Sequence, residues 1–103
     1  MSIAPLFVDS SAFYALADSH DALHRLATQR WEAMVKAKRP LVTSLAVAAE
    51  TATLVRRSLG FDAVQAWREQ LDRARLVGAI ELAFLAEREY ALARDLSRQL
   101  AQP

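Results

Sequence analysis

Three short apolar runs punctuate this chain, and the stretches between them have helical period. Leu6-Phe7-Val8 ends in Asp9-Ser10-Ser11, Leu41-Val42-Thr43 runs into Ser44, and Leu76 to Leu82 contains Gly78. Runs of this length bounded by capping or turn residues read as strands, and strands that alternate with helices read as a parallel sheet. The intervening stretches supply those helices. The first carries Ala12 to Leu16 and stops near Asp18-Ser19; the second puts Leu23, Ala27, Trp31 and Met34 on one face. It ends over Lys36 to Arg39, where cations complement the helix dipole, with Pro40 as a stop.

Thr43 or Ser44 caps a third helix that starts at Leu45 and ends at Gly60. Asp62, with Gln65 three residues on, reads as the capping box of a fourth, whose apolar stripe is Val64, Trp67, Leu71 and Ala74. A last helical pattern runs from Phe84 to Leu100. The expected order is β α α β α α β α, an α/β fold with about three strands and helices on both faces of a short parallel sheet. At 103 residues, 53% hydrophobic and 24% charged, with two glycines and three prolines, the chain can bury one core and reads as one domain.

The same numbers exclude several functions. Thirteen basic and twelve acidic residues give a net charge of +1, without the excess of a module held on DNA by counterion release. The absence of cysteine rules out disulfides and thiolate-ligated metal, and it suits a reducing cytoplasm. No apolar run approaches the roughly 20 residues that a bilayer crossing needs, so no membrane role is expected.

Two carboxylates stand out. Asp9 closes the first strand, at the carboxyl end of the sheet where open α/β folds place ligands; it can hold a metal ion there or serve only as a helix N-cap. Glu50 lies with Val47, Thr51 and Leu54 along the apolar face of the third helix. A carboxylate buried there needs a cation, a metal or a strong donor, whereas one at the stripe's edge can reach water or pair with Arg57. Eleven of the thirteen cations are arginine, and Arg56-Arg57 ends the helix that carries Glu50. Guanidinium matches phosphate bidentately, so the pair either steers a nucleic-acid backbone toward the carboxylates or complements the helix dipole. His20 and His24 sit four apart, but without an intervening glutamate they read as surface residues.

In this order the motifs resemble the PIN domain, and more narrowly the VapC-type toxins of bacterial toxin–antitoxin pairs. The resemblance is carried by Phe7-Val8-Asp9-Ser10-Ser11-Ala12-Phe13-Tyr14-Ala15-Leu16, by Asp21 to His24 and Trp31, by Leu41-Val42-Thr43-Ser44, and by Ala49-Glu50-Thr51 with Leu54 to Gly60. It implies a three-layer α/β/α sandwich that cuts RNA with Mg²⁺ or Mn²⁺, Asp9 and Glu50 being metal ligands. Ser10, Arg56 and Arg57 would then face substrate. It also implies a small antitoxin protein as partner, a homodimer, and a cytoplasmic setting. The family's later acids, the first in a Ser-x-x-Asp context, find no match here, because Ser97 is followed by Arg98, Gln99 and Leu100. The expectation is therefore a domain shortened at its C-terminus. It is either an endoribonuclease with a depleted acidic site or an inactive remnant that binds an antitoxin or another partner; a small α/β scaffold in which Asp9 is only a cap is the remaining reading.

Overall fold

The structure is a computed structural model, and it describes residues 5–83. The elements run β1 (Leu6–Phe7), α1 (Ser10–Ala17), α2 (His24–Lys36), β2 (Leu41–Ser44), α3 (Leu45–Leu59), α4 (Phe61–Leu76) and β3 (Ile80–Ala83). The strands form a parallel sheet in the order β1-β2-β3, with Leu6 opposite Leu41 and Leu41 opposite Ile80. The helix expected over Phe84 to Leu100 lies outside the described residues. Among the described residues no helix is long and apolar enough to cross a membrane.

One core joins the sheet to all four helices. Val8, Leu41 and Ile80 from the strands meet Phe13 of α1 and Trp67 and Leu71 of α4, with Trp31 and Met34 of α2 and Val47, Ala48 and Ala52 of α3 packed around them. The Phe13 ring meets Trp67 edge-on at 5.7 Å and Trp31 at 6.5 Å. Edge-to-face contact sets the positive rim of one ring against the negative face of the other. Phe13 thereby fastens α1 to α2 and α4 just after the chain leaves Asp9. Register partners share a sheet face. Val8, Leu41 and Ile80 therefore line the helical side, while Phe7, Val42 and Glu81 line the other.

The helix ends show which local signals decide. Ser44 caps α3 as its position suggests, its hydroxyl accepting from Val47 N–H at 3.0 Å. Ser44 is also buried, so Ser44→Ala removes the cap and leaves Val47 N–H without the hydroxyl it donates to. A loss of about 1–2 kcal/mol is expected, read as a lower midpoint in urea unfolding.

The expected capping box at Asp62 does not form. Gly60 stands in the N-cap position of α4 without a side-chain bond, and α4 starts at Phe61, leaving Asp62 in the first turn. Its charge still favours the helix dipole from there. Gly60 ends one helix and begins the next with φ +95° and ψ −179°, a backbone region essentially confined to glycine. The run Leu76 to Leu82, read as a strand, is divided. Leu76 ends α4, Gly78 turns with φ +75°, and the strand begins at Ile80.

Candidate functional site

The carboxyl edge of the sheet is built by backbone and hydroxyl bonds that leave little freedom. Val8 N–H donates to Val42 O at 2.8 Å, and the buried Thr43 hydroxyl donates to Val8 O at 2.8 Å. The last residue of the run before Asp9 is thus tied to β2 through both its backbone groups. Nothing in the periodicity marks Thr43 for this task; its hydroxyl in an otherwise apolar run is the one available signal.

Asp9 then caps α1. Its Oδ1 accepts from Ala12 N–H at 3.0 Å and from the Ser11 hydroxyl at 2.9 Å. Both donors use the same oxygen, so Oδ2 accepts from no donor among the described residues. Capping and ligand binding are compatible at one carboxylate: one oxygen holds the helix while the other faces outward. The hydroxyl that orients Asp9 belongs to Ser11. Ser10, singled out by the sequence, is the first residue of α1 and its side chain bonds to no described group.

Glu50 takes the second of the two settings that its spacing allows. Thr51 beside it is fully buried, its hydroxyl donating to Val47 O at 2.8 Å, but Glu50 itself is exposed at the edge of the stripe. No ion pair joins it to Arg57. The carboxylate stays in water, so it needs no buried counter-charge and keeps its lone pairs available.

The two arginines part company. At about 100° per residue, Arg57 falls within about 20° of Glu50 around α3, while Arg56 falls about 120° away. Arg57 therefore shares the flank of the carboxylate. Arg56 turns toward α4, where it lines a cleft with Phe61, Gln65 and Arg68.

His24 is a link between helices rather than a free surface group. Its Nδ1–H donates to Ala15 O at 2.8 Å, tying the start of α2 to α1. His20 is exposed beside Asp18 at 3.9 Å.

The donor set suits a hard divalent cation. Asp9, at the N-cap of α1, and Glu50 of α3 offer carboxylate oxygens from mutually packed helices, and the two bonds to Oδ1 orient the Asp9 carboxylate, whose Oδ2 has no donor among the described residues. Mg²⁺ takes oxygen ligands and commonly uses one or two carboxylates, completing its shell with water and substrate phosphate. Among the described residues no group of three or more acidic or histidine side chains comes together.

Comparison with known proteins bears on the family and the fold. The model of the PIN domain family matches residues 6–101. A solved structure, that of Mycobacterium tuberculosis VapC20, described as a Sarcin-Ricin loop cleaving toxin, is similar at 28% identity with a TM-score of 0.65, over 95% of this chain and 71% of that one. No curated protein matches.

Proposed function

The chain belongs to the PIN domain family, and from that premise we propose that it is a metal-dependent endoribonuclease of the VapC-like toxin class, restrained by a small antitoxin protein. The observation that carries the reading is the state of Asp9: one carboxylate oxygen engaged by Ala12 N–H and the Ser11 hydroxyl, the other turned out at the carboxyl edge of a parallel sheet. The likeness to VapC20, an RNA-cleaving toxin, supports the same assignment.

Asp9 and Glu50 would hold Mg²⁺ or Mn²⁺. When bound, such a cation offsets charge on the cleaved phosphate and acidifies a coordinated water. The chain's own residues do the positioning. Thr43 fixes the strand end beneath Asp9, Ser11 sets the carboxylate's rotation, and Arg57, on the Glu50 flank, draws the RNA backbone toward the two acids. Neither acid acts as a covalent nucleophile.

The antitoxin would cover the same edge. An apolar groove between β1, α1 and α2, lined by Phe7, Leu23, Leu26, Trp31 and Met34, runs up to Ser11 beside Asp9 and suits the apolar face of a helical segment. A basic residue on that segment would meet Asp9 and Glu50. The working protein would be a cytoplasmic homodimer.

The deciding experiment is RNA cleavage by the purified chain with Mg²⁺, with Mn²⁺, and with a chelator. Cutting that needs the metal and stops with the chelator is expected. No cutting by a folded, monodisperse sample under either metal would overturn the nuclease assignment in favour of an antitoxin-binding module.

A further inference from the structure

Helices α3 and α4 form a hairpin joined by Gly60 alone, and their outer surfaces enclose a cleft of about 310 Å³. We propose that this cleft is an RNA subsite in which Phe61 stacks on an unpaired base while Arg56 and Arg68 hold the phosphates on either side. The inference rests on the ribonuclease reading and adds to it a place where substrate is gripped away from the acids.

Phe61 is not a core residue. It is 61% exposed, whereas the buried face of α4 is formed by Trp67 and Leu71. Gln65 and Arg68 follow it at i+4 and i+7, so the three share one helix face. Thr53 and Arg56 of α3 form the opposite wall, and no carboxylate lines the cleft; Asp62, the nearest acid in sequence, is not among its lining residues. Neither Arg56 nor Arg68 makes an ion pair among the described residues. Two unneutralised guanidinium groups therefore flank an exposed ring and an amide.

That combination matches single-stranded RNA closely. Unstacked bases pile onto aromatic rings, guanidinium groups grip phosphate oxygens in pairs, and a glutamine side chain can bond to a base edge. The volume is at the small end of ligand sites, fit for one base and too small for a duplex. Arg56 lies six residues beyond Glu50, a rise of about 9 Å along α3. At about 3.4 Å per stacked nucleotide that rise alone is two or three nucleotides, and the turn of about 120° around α3 adds to the path. A strand held in the cleft reaches the acids by following α3 over several nucleotides, and two guanidinium groups without an ion pair among the described residues favour a polyanion over a second copy of a chain of net charge +1.

The test is fluorescence anisotropy of a labelled, mixed-sequence single-stranded RNA of about twelve nucleotides, titrated with the full chain in Ca²⁺ in place of Mg²⁺. Phe61→Ala is expected to weaken binding on the order of tenfold, and Phe61→Tyr, which keeps the ring, to leave it within about twofold. Arg68→Gln is expected to weaken binding and to lower the salt slope by about 0.7. Circular dichroism should show every variant folded, since both side chains are exposed. Equal affinity for wild type and all variants overturns the subsite while leaving the nuclease reading intact, and so does the absence of binding by wild type. Absence of cleavage in the separate metal assay is what tells against the nuclease reading. A change of oligomeric mass in Phe61→Ala, with RNA affinity unchanged, reassigns the cleft to contact between copies and overturns the proposal.

Discussion

Asp9→Asn is expected to lower metal-dependent RNA cleavage by more than about a hundredfold while leaving the thermal midpoint almost unmoved. Loss even of groups that merely orient a metal's ligands costs about 10–100-fold in affinity or activity, so loss of a direct ligand exceeds it. The substitution keeps the cap. Asparagine is as good an N-cap as aspartate, and its Oδ1 can still accept from Ala12 N–H and the Ser11 hydroxyl. Asp9→Ala removes cap and ligand together and should also lower stability by about 1 kcal/mol. The pair of variants separates the two tasks of one carboxylate. Glu50→Gln provides the companion result: Glu50 is exposed and caps nothing, so its loss should fall on cleavage alone. Full activity in Asp9→Asn, measured beside a chelator control, would reduce Asp9 to a helix cap.

The largest effect on stability is expected at Trp67. It is 6% exposed and stands edge-on to Phe13 at 5.7 Å, within the cluster that joins α4 to β2 and β3. Trp67→Ala leaves a cavity at that junction, with an expected loss of about 3–5 kcal/mol. In a domain of this size each kcal/mol moves the midpoint by about 4–8 °C, so a fall on the order of 15 °C or more should appear in a thermal melt followed by circular dichroism. Trp67→Phe fills most of the space and should recover over half of the loss. A melt unchanged in Trp67→Ala would show that the α4 packing carries little of the fold.

Where local chemistry speaks with one voice, the elements could be read from the sequence. Asp9, Ser44 and Gly60 each stand at an end that their residue type favours, and the stripe Trp67, Leu71 and Ala74 does face the core. Reading failed where two local signals competed. Asp62 with Gln65 spells a capping box, but Gly60 starts the helix two residues earlier, which puts Asp62 inside it. Leu76 and Val77 look like strand residues because they are apolar. They close a helix instead, 86% and 79% exposed, and Gly78 makes the turn. Leu23 belongs to an apolar stripe by spacing but stands at the N-cap of α2 and is 59% exposed, outside the packed core.

For the candidate site the sequence offers residues, and the structure adds their setting. Asp9 could be placed because strand, acid and cap follow one another along the chain. Glu50 could lie within the apolar face or at its edge, and it lies at the edge, a difference of angle that a spacing rule does not resolve. Arg56 and Arg57 looked like one unit because they are adjacent, and adjacency on a helix separates side chains by about 100°. Ser11, Thr43 and Phe61 carried no periodic signal at all. Their roles follow from what the fold brings beside them.

Gly60 has a consequence for how such a chain can vary. The space around it is open, with nothing within 4 Å of where a Cβ would sit, so no neighbour would object to a side chain. The objection comes from its own backbone, because φ +95° with ψ −179° is strained for every residue that carries one. Mutational drift across the exposed faces of α3 and α4 can change what the hairpin touches while leaving its shape alone. A replacement at Gly60 would instead re-set the angle between the arm that carries Glu50 and the arm that begins with Phe61. A position with no reactive group and no packing partner would thereby alter the candidate metal site and the proposed RNA cleft at once.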